Sequence, residues 1–555
     1  MKKRYPLYAF IMFMLVMVIS RQAVAQDDKE LSPVSRTYAL TRVNIVQAPG
    51  RKIELGTVVI KNGLIQAVGK NIPVPPEAIL VKADSMYVYA GFVDGLSHTG
   101  MEKPRDEQGR ERPKDPGNPP PDRAGITPQH DARDFLSPGD RSIDDFRAAG
   151  FTAAHVVPYG KMLPGNGSVV LLGGQSANAM ILSDQYSFYS ELSPAERVYP
   201  TTVMGVMAKW RELYRQAVMA KEYQRLYTTN PSGMERPVSD EVLESFYPVI
   251  DKRQPVFFKA EKVLEIQRIL TLQKDLGFTL ILGEVQEGWD ILPKIRTANV
   301  KIFLSLALPE EKKAEQADTT KKADPEREAL EKRKSTALAH YVGQAAACQS
   351  AGIKFGFSAL NVKASDIQPN LRKMIAAGLT EDAALASLTT IPAEFLGLSD
   401  RLGSVDQGKI ANLVVSDKPY FSEKAKVRYV FVDGQFYKIE VKESKPADPN
   451  VKFIVEGEWT VTTETPQGKT NVTLTIKKEG NNLIGTVSGG QLPQAVKLDQ
   501  VDVEGTVLKF TYTITQGTEV IKTSVEAKVE GTTFKGNASI GAGSFPVEGK
   551  KIPKL

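Results

Sequence analysis

The sequence predicts an α/β protein: a TIM-type (β/α) barrel with a split composite β-sandwich domain, followed by a separate all-β antiparallel domain. Three observations predict it. Apolar, strand-like runs alternate with amphipathic helical stretches across residues 91–399. Short β-branched runs broken by Gly and Asn flank that alternation, at 36–90 and again at 400–440. Beyond a polar linker at 441–450, the composition shifts to Val, Thr and Gly for residues 451–555.

The elements follow in order. Residues 1–25 read as a signal peptide: a basic MKKRYP, an apolar LYAFIMFMLVMVIS, and Ala23-Val24-Ala25 in the small-x-small form that signal peptidase needs. The apolar stretch is too short for a spanning helix to be favoured, so the expectation is export to the periplasm or beyond, with no transmembrane anchor after cleavage. The runs TYALTRVNIV, GTVVIKNGLIQAVG and AILVKADSMYVYAG come next, with Asn62-Gly63 marking a hairpin turn. Six barrel strands stand out: VYAGFVD, FTAAHVV, PVFFKA, FTLILGE, VKIFLSLAL and IKFGFSAL. GSVVLLGG is a seventh candidate, either a strand or part of an excursion. Residues 103–140, rich in Pro, Asp, Arg and Gly, read as a long surface loop. Residues 205–250 read as a helical insertion or lid, and 309–335 as a charge-dense, solvated tract. In 451–555, NVTLTIKK, VLKFTYTIT and SVEAKVEG alternate with period two, and Glu-Gly turns recur. That pattern predicts an antiparallel barrel or sandwich of about eight short strands, and the domain resembles a lipocalin-like or sandwich β domain.

Composition narrows the function. There are 71 Lys and Arg against 65 Asp and Glu, a formal charge of +6. Four of those cations lie in residues 1–25, where there is no acidic residue, so the remaining chain carries +2. So small a charge on a long chain argues against a nucleic-acid partner. The single cysteine, Cys348, excludes an internal disulfide. Only four histidines are present, His98, His130, His155 and His340. A His-rich binuclear metal site would need almost all of them. GKMLPGNGSVVLLGGQ lacks the Gly-Lys-Ser/Thr ending of a phosphate loop. Ser97, Ser305 and Ser358 lie outside any Gly-x-Ser-x-Gly elbow.

Four stretches carry a resemblance over residues 38–437: GTVVIKNGLIQAVG, YAGFVDGLSHTG, GLTEDAALASLTTIPAEFLGL and DRLGSVDQGKIANLVV. In this order they resemble the amidohydrolase superfamily, nearest its imidazolonepropionase-like branch. The resemblance implies an eight-stranded barrel and one or two divalent metals at the C-terminal ends of its strands. It also implies hydrolysis of carbon–nitrogen bonds other than peptide bonds. The family's first strand carries His-x-His, and here those positions are Leu96 and His98. Where relatives commonly have histidines, this chain has Lys259 and stands near Glu284. Where they have the catalytic Asp, it has Ala359 or Leu360. Leu cannot ligate a metal, and neither Ala nor Leu can accept a hydrolytic proton.

The reading that follows is a pseudo-enzyme with no catalytic residue and no cofactor, His98 being a vestigial metal ligand. Lys259, Glu284 and Ser358 are the barrel-mouth candidates, with Lys259 expected to pair with Glu284 in place of the metal cation. The mouth would then serve a small molecule, or the chain would support a paralogous amidohydrolase in a homo- or hetero-oligomer. The alternative is an active hydrolase of cyclic amides or N-acyl compounds, with zinc or another divalent metal in a reduced mononuclear site.

Overall fold

The computed structural model describes residues 36–104, 113–309, 325–440, 455–465, 468–479, 482–490, 494–504, 506–516, 519–540 and 543–552. The expected signal peptide, the 441–450 linker and residues 310–324 of the charged tract lie outside them. The chain divides into two units, Met1–Val441 and Lys442–Leu555.

In the first unit, one mixed sheet is assembled from both ends of the sequence. Its early strands are β1 (Tyr38–Ala48), β2 (Arg51–Lys61), β3 (Leu64–Gly69), β4 (Ile79–Val81) and β5 (Tyr87–Ala90). Asn62 and Gly63 both have left-handed backbones, φ 53° and 76°, and join β2 to β3 by the expected tight turn. The late strands are β14 (Leu413–Ser416), β15 (Val427–Val432) and β16 (Gln435–Lys438). β14 runs antiparallel to β5, Leu413 opposite Ala90, and so ties the two halves of the split domain together. All eight strands belong to this one sheet. Tyr38, Leu40, Val58, Ile60, Val88, Leu413 and Phe431 are in its core.

The second sheet contains β6 (Phe92–Ser97), β7 (Phe151–Val156), β8 (Gly165–Leu171), β9 (Ile181–Glu191), β10 (Val256–Lys259), β11 (Leu280–Val285), β12 (Lys301–Ser305) and β13 (Phe355–Ser358), in sequence order. GSVVLLGG is thus a strand. β9 is the one sequence reading missed. The sheet departs from an all-parallel barrel at β8, which is antiparallel to both neighbours. The cause is connection length: the links on either side of β8 hold at most a single helical turn, Ala177–Met180, and a parallel crossover needs more chain. Elsewhere helices make the crossovers. Val263–Leu276 buries Ile266, Ile269 and Leu272 and ends at Gly277, φ 78°, a left-handed C-cap. The sheet curls until its edge strands meet, where Ser358 Oγ lies 3.1 Å from the Leu96 carbonyl and Ala359 N–H donates to Asp94 Oδ1 at 2.9 Å.

Two sequence expectations change. The 113–140 segment is more than a surface loop, because Ala124, Ile126 and Ala132 are buried and Asp131 bridges to Asn166. The insertion begins with the helix Val203–Thr229, whose first half is ordinary wall packing: Val206, Met207, Trp210, Leu213 and Tyr214 are buried. Trp210 lies among Phe188, Phe246, Phe258 and Phe278.

The second unit is an antiparallel meander of β17 (Gly457–Thr465), β18 (Gly468–Glu479), β19 (Asn482–Ser488), β20 (Val496–Lys497), β21 (Gln500–Glu504), β22 (Val507–Gln516), β23 (Glu519–Glu530), β24 (Thr533–Ile540) and β25 (Gly543–Lys551). Its first and last strands pair with each other, Trp459 opposite Lys551. The inward residues of the alternation, among them Trp459, Leu474, Phe510 and Phe534, form its core. Among the described residues no helix is long and apolar enough to cross a membrane.

Candidate functional site

Charged and hydroxylic side chains gather where the strands of the second sheet end. Glu191, Lys259, Ser305 and Ser358 are the last residues of β9, β10, β12 and β13, and Ser97 is the last of β6. Strand alternation fixes what lies beneath them, because residues two apart share a face. Two positions before Lys259 and Ser305 come Phe257 and Phe303, whose rings stack at 5.6 Å. Leu96, Val157, Tyr189, Ile281 and Phe395 complete a buried apolar layer around them. Glycines make room for it. A Cβ on Gly95 would stand 1.9 Å from the Phe303 ring, one on Gly356 2.5 Å from it, and one on Gly283 2.4 Å from Phe257. Glu284 would face away by simple alternation, but its backbone is left-handed, φ 57°. That conformation costs on the order of 1 kcal/mol, and the Glu284 side chain is fully buried against Ser305 and Ser358.

The expected Lys259–Glu284 ion pair is not formed. Lys259 Nζ is 3.1 Å from Glu261 Oε1 and 3.8 Å from Glu191 Oε2. Tyr189 O–H donates to Glu191 Oε1 at 2.8 Å, and Asn361 Nδ2 donates to Glu261 Oε1 at 3.1 Å. Glu284 instead has Ser305 Oγ 2.6 Å from Oε1 and Ser358 Oγ 2.5 Å from Oε2. The reason is the reach of the β9 and β10 termini: both present their last side chain to the same space, and Glu261 adds a second carboxylate two residues on. Burial disfavours the Lys259 charge, but Glu191 and Glu261 outweigh it and hold the ammonium above its ordinary range. A carbamylated lysine starts from the neutral amine, so this environment opposes carbamylation. Burial raises Glu191, against the pull of Lys259.

His98 lies just beyond β6. Its Nδ1 is 2.9 Å from the Val157 carbonyl, an acceptor only, so that nitrogen carries the proton and Nε2 keeps its lone pair. The ring stacks on Tyr159 at 3.8 Å. Burial pushes it down to about 4, and Lys259 and Lys103 add to the effect, so the imidazole is neutral at pH 7. Asp94 accepts amide protons from Leu96 and Ala359 on Oδ1, while Oδ2 is buried with no hydrogen-bond partner. Burial pushes its carboxyl up to about 7. His155 is a satisfied core histidine: Nδ1 is 3.1 Å from the Gly95 carbonyl and Nε2 is 2.8 Å from Ser187 Oγ. His130 lies tilted against Phe135, and His340 stacks on Trp289.

The structure therefore brings Lys259, Glu284 and Ser358 to one end of the sheet with His98, but divides them between two networks. Sequence reading missed Glu191, Glu261, Tyr189 and Asn361. The signal was the Tyr189-Ser190-Glu191 alternation, which was legible once β9 was a strand. This donor set does not fit a divalent metal. One imidazole faces a resident ammonium, both Glu284 oxygens are engaged by serines, and Leu96 with the two rings fills the layer below. Among the described residues, no group of three or more His, Cys, Asp or Glu side chains is arranged to hold a metal ion.

Comparison with known proteins places this architecture. The amidohydrolase family model matches residues 310–437. An amidohydrolase from Thermotoga maritima MSB8 is similar over 72% of this chain and 100% of its own, at 22% identity and a TM-score of 0.59. A prolidase solved with N-methylphosphonate-L-proline covers 73% of this chain and 100% of its own, at 16% identity and a TM-score of 0.44. A zinc-bound adenosine deaminase from Xanthomonas campestris covers 72% and 93%, at 15% identity and a TM-score of 0.37. No curated protein matches. The first of these likenesses shows that this chain shares its fold with that amidohydrolase.

Proposed function

We propose that this protein is a non-hydrolytic member of the amidohydrolase superfamily, near its imidazolonepropionase-like branch, built on a TIM-type barrel. Its barrel mouth binds a small molecule without turning it over. The observation that carries this reading is the Lys259–Glu191–Glu261 network above the Phe257–Phe303 layer. A fixed cation and apolar packing stand where the superfamily holds a metal and its activated water. Export rests on residues 1–25, and partnership with a paralogous amidohydrolase would give the mouth a role in a mixed oligomer.

A second reading is favoured by one feature. His98 has its Nδ1–H fixed by a backbone carbonyl and its Nε2 open, the arrangement of a metal-ligating histidine. That reading is hydrolysis of a cyclic amide or N-acyl compound at a mononuclear site.

The two are separated by a ligand screen of cyclic amides, acylated amino acids and amines, read both as thermal stabilisation and as turnover. Stabilisation by a ligand that is not consumed, and that is lost in Lys259→Met, is expected. Turnover above the buffer rate, abolished by His98→Ala, would establish the second reading instead. Lys259→Met should itself cost about 2 kcal/mol, because it leaves two half-buried carboxylates without their cation. Urea midpoints measure it.

A further inference from the structure

The hydrogen bonds around Glu284 do not balance if every carboxyl is ionised. Ser305 Oγ accepts the Ala307 N–H at 3.0 Å, so its own proton goes to Glu284 Oε1. Ser358 has a single hydroxyl proton and two oxygens in reach, the Leu96 carbonyl at 3.1 Å and Glu284 Oε2 at 2.5 Å. With Glu284 ionised, that proton is drawn to the carboxylate and the link to Leu96 goes unmade. With a proton on Oε2, every bond is satisfied in sequence: Glu284 donates to Ser358, and Ser358 donates to the Leu96 carbonyl.

The neighbours place the proton there. Asp94 is the other buried acid at this seam, and of two buried carboxyls there the one whose partners can only donate is the one that keeps a charge. Asp94 Oδ1 is held by two backbone N–H groups, which can only donate and so favour a charge on Asp94. The partners of Glu284 are hydroxyls, which can reverse. The cation that faces it, Lys259, is engaged by Glu191 and Glu261, and Glu261 adds repulsion.

We propose that Glu284 is a neutral carboxylic acid whose proton, passed through Ser358 to Leu96, latches β13 to β6 and closes the curled sheet beneath the mouth. The latch is pH-sensitive in one direction: ionising Glu284 in alkali turns the Ser358 hydroxyl toward the carboxylate and releases the Leu96 carbonyl. The strained backbone at Glu284 is what delivers the acid to the seam.

Infrared spectroscopy of the intact protein, grown with side-chain 13C-labelled glutamate, tests it. A glutamic-acid carbonyl band is expected at pH 7, lost in Glu284→Gln and retained in Glu191→Gln. It should shift, without disappearing, in Ser358→Ala, where its acceptor is gone. The amide introduced by Glu284→Gln can donate as the acid does, so that variant should keep the wild-type thermal midpoint at pH 7 and exceed it at pH 9. A spectrum with no glutamic-acid band at pH 7, or a band indifferent to both Glu284→Gln and Ser358→Ala, overturns the proposal. The wild-type and Ser358→Ala spectra decide the matter even if Glu284→Gln does not fold.

Discussion

Gly95→Ala should destabilise the first unit by about 3 kcal/mol or more, at the upper end of what overpacking costs. The added methyl would stand 1.9 Å from the Phe303 ring, and that ring cannot retreat. Phe257 stacks on one side of it, Phe395 meets it edge-on, and Gly356 already yields its own space. Because the clash is with one named side chain, Phe303→Ala should relieve it. That variant alone should cost about 3–5 kcal/mol by opening a cavity. The double variant should then be clearly less destabilised than the two single losses combined, as expected for groups in contact. Gly343→Ala is the control. It sits in the helix Pro325–Ser350 with nothing within 4 Å, so it should be neutral or gain up to about 1 kcal/mol. Urea unfolding measures all four. Additive losses from Gly95→Ala and Phe303→Ala would show that the two residues do not share this layer.

Acid should expose His155 as a point of weakness. It is fully buried and pushed down to about 4 from an ordinary 6.5, by desolvation that outweighs its bond to the Gly95 carbonyl. The unfolded chain therefore binds a proton between about pH 6.5 and 4 that the folded chain refuses, and stability falls as pH falls through that window. Between pH 7 and 4.5 the loss is about 2 kcal/mol. Asp94 acts in the opposite sense. Its folded value, about 7, lies above the ordinary 3.8, so the folded chain binds the extra proton and gains stability as pH falls from about 7 toward 4. His98, also down to about 4, adds to the loss. The wild-type profile is thus a difference of opposing effects, and the variants separate them. Relative to pH 7, His155→Gln should be more stable at pH 4.5 than wild type by about 2 kcal/mol, and Asp94→Asn less stable by a similar amount. Profiles parallel to wild type for both would contradict the burial assigned to these groups.

How much of this was legible depended on whether the signal was local. The split β domain, the six apolar strands and the antiparallel meander each follow from short runs and their turns, such as Asn62-Gly63 and Glu530-Gly531. β9 was hidden because ILSDQYSFYSE mixes polar residues into the strand and turns at Gln185, whose φ is 43°. With β9 went Glu191, and with Glu191 one of the two carboxylates that hold Lys259. The aromatic layer was out of reach for another reason. Gly95, Gly283, Gly356, Phe257 and Phe303 come from five different strands, and only the curl of the sheet makes the small residues complementary to the rings. Glu284 shows the same limit at one residue: alternation points it outward, and a left-handed backbone turns it back.

The proposal at the centre of this account is that a lysine and an apolar layer occupy the place that a catalytic metal holds in the amidohydrolase superfamily. Elemental mass spectrometry tests it most directly, on the purified full-length protein after growth with zinc, manganese and iron supplied. The expected result is metal far below one equivalent per folded chain, unchanged by His98→Ala. One equivalent of metal that disappears in His98→Ala would contradict the claim and make the hydrolase reading the working description of this protein.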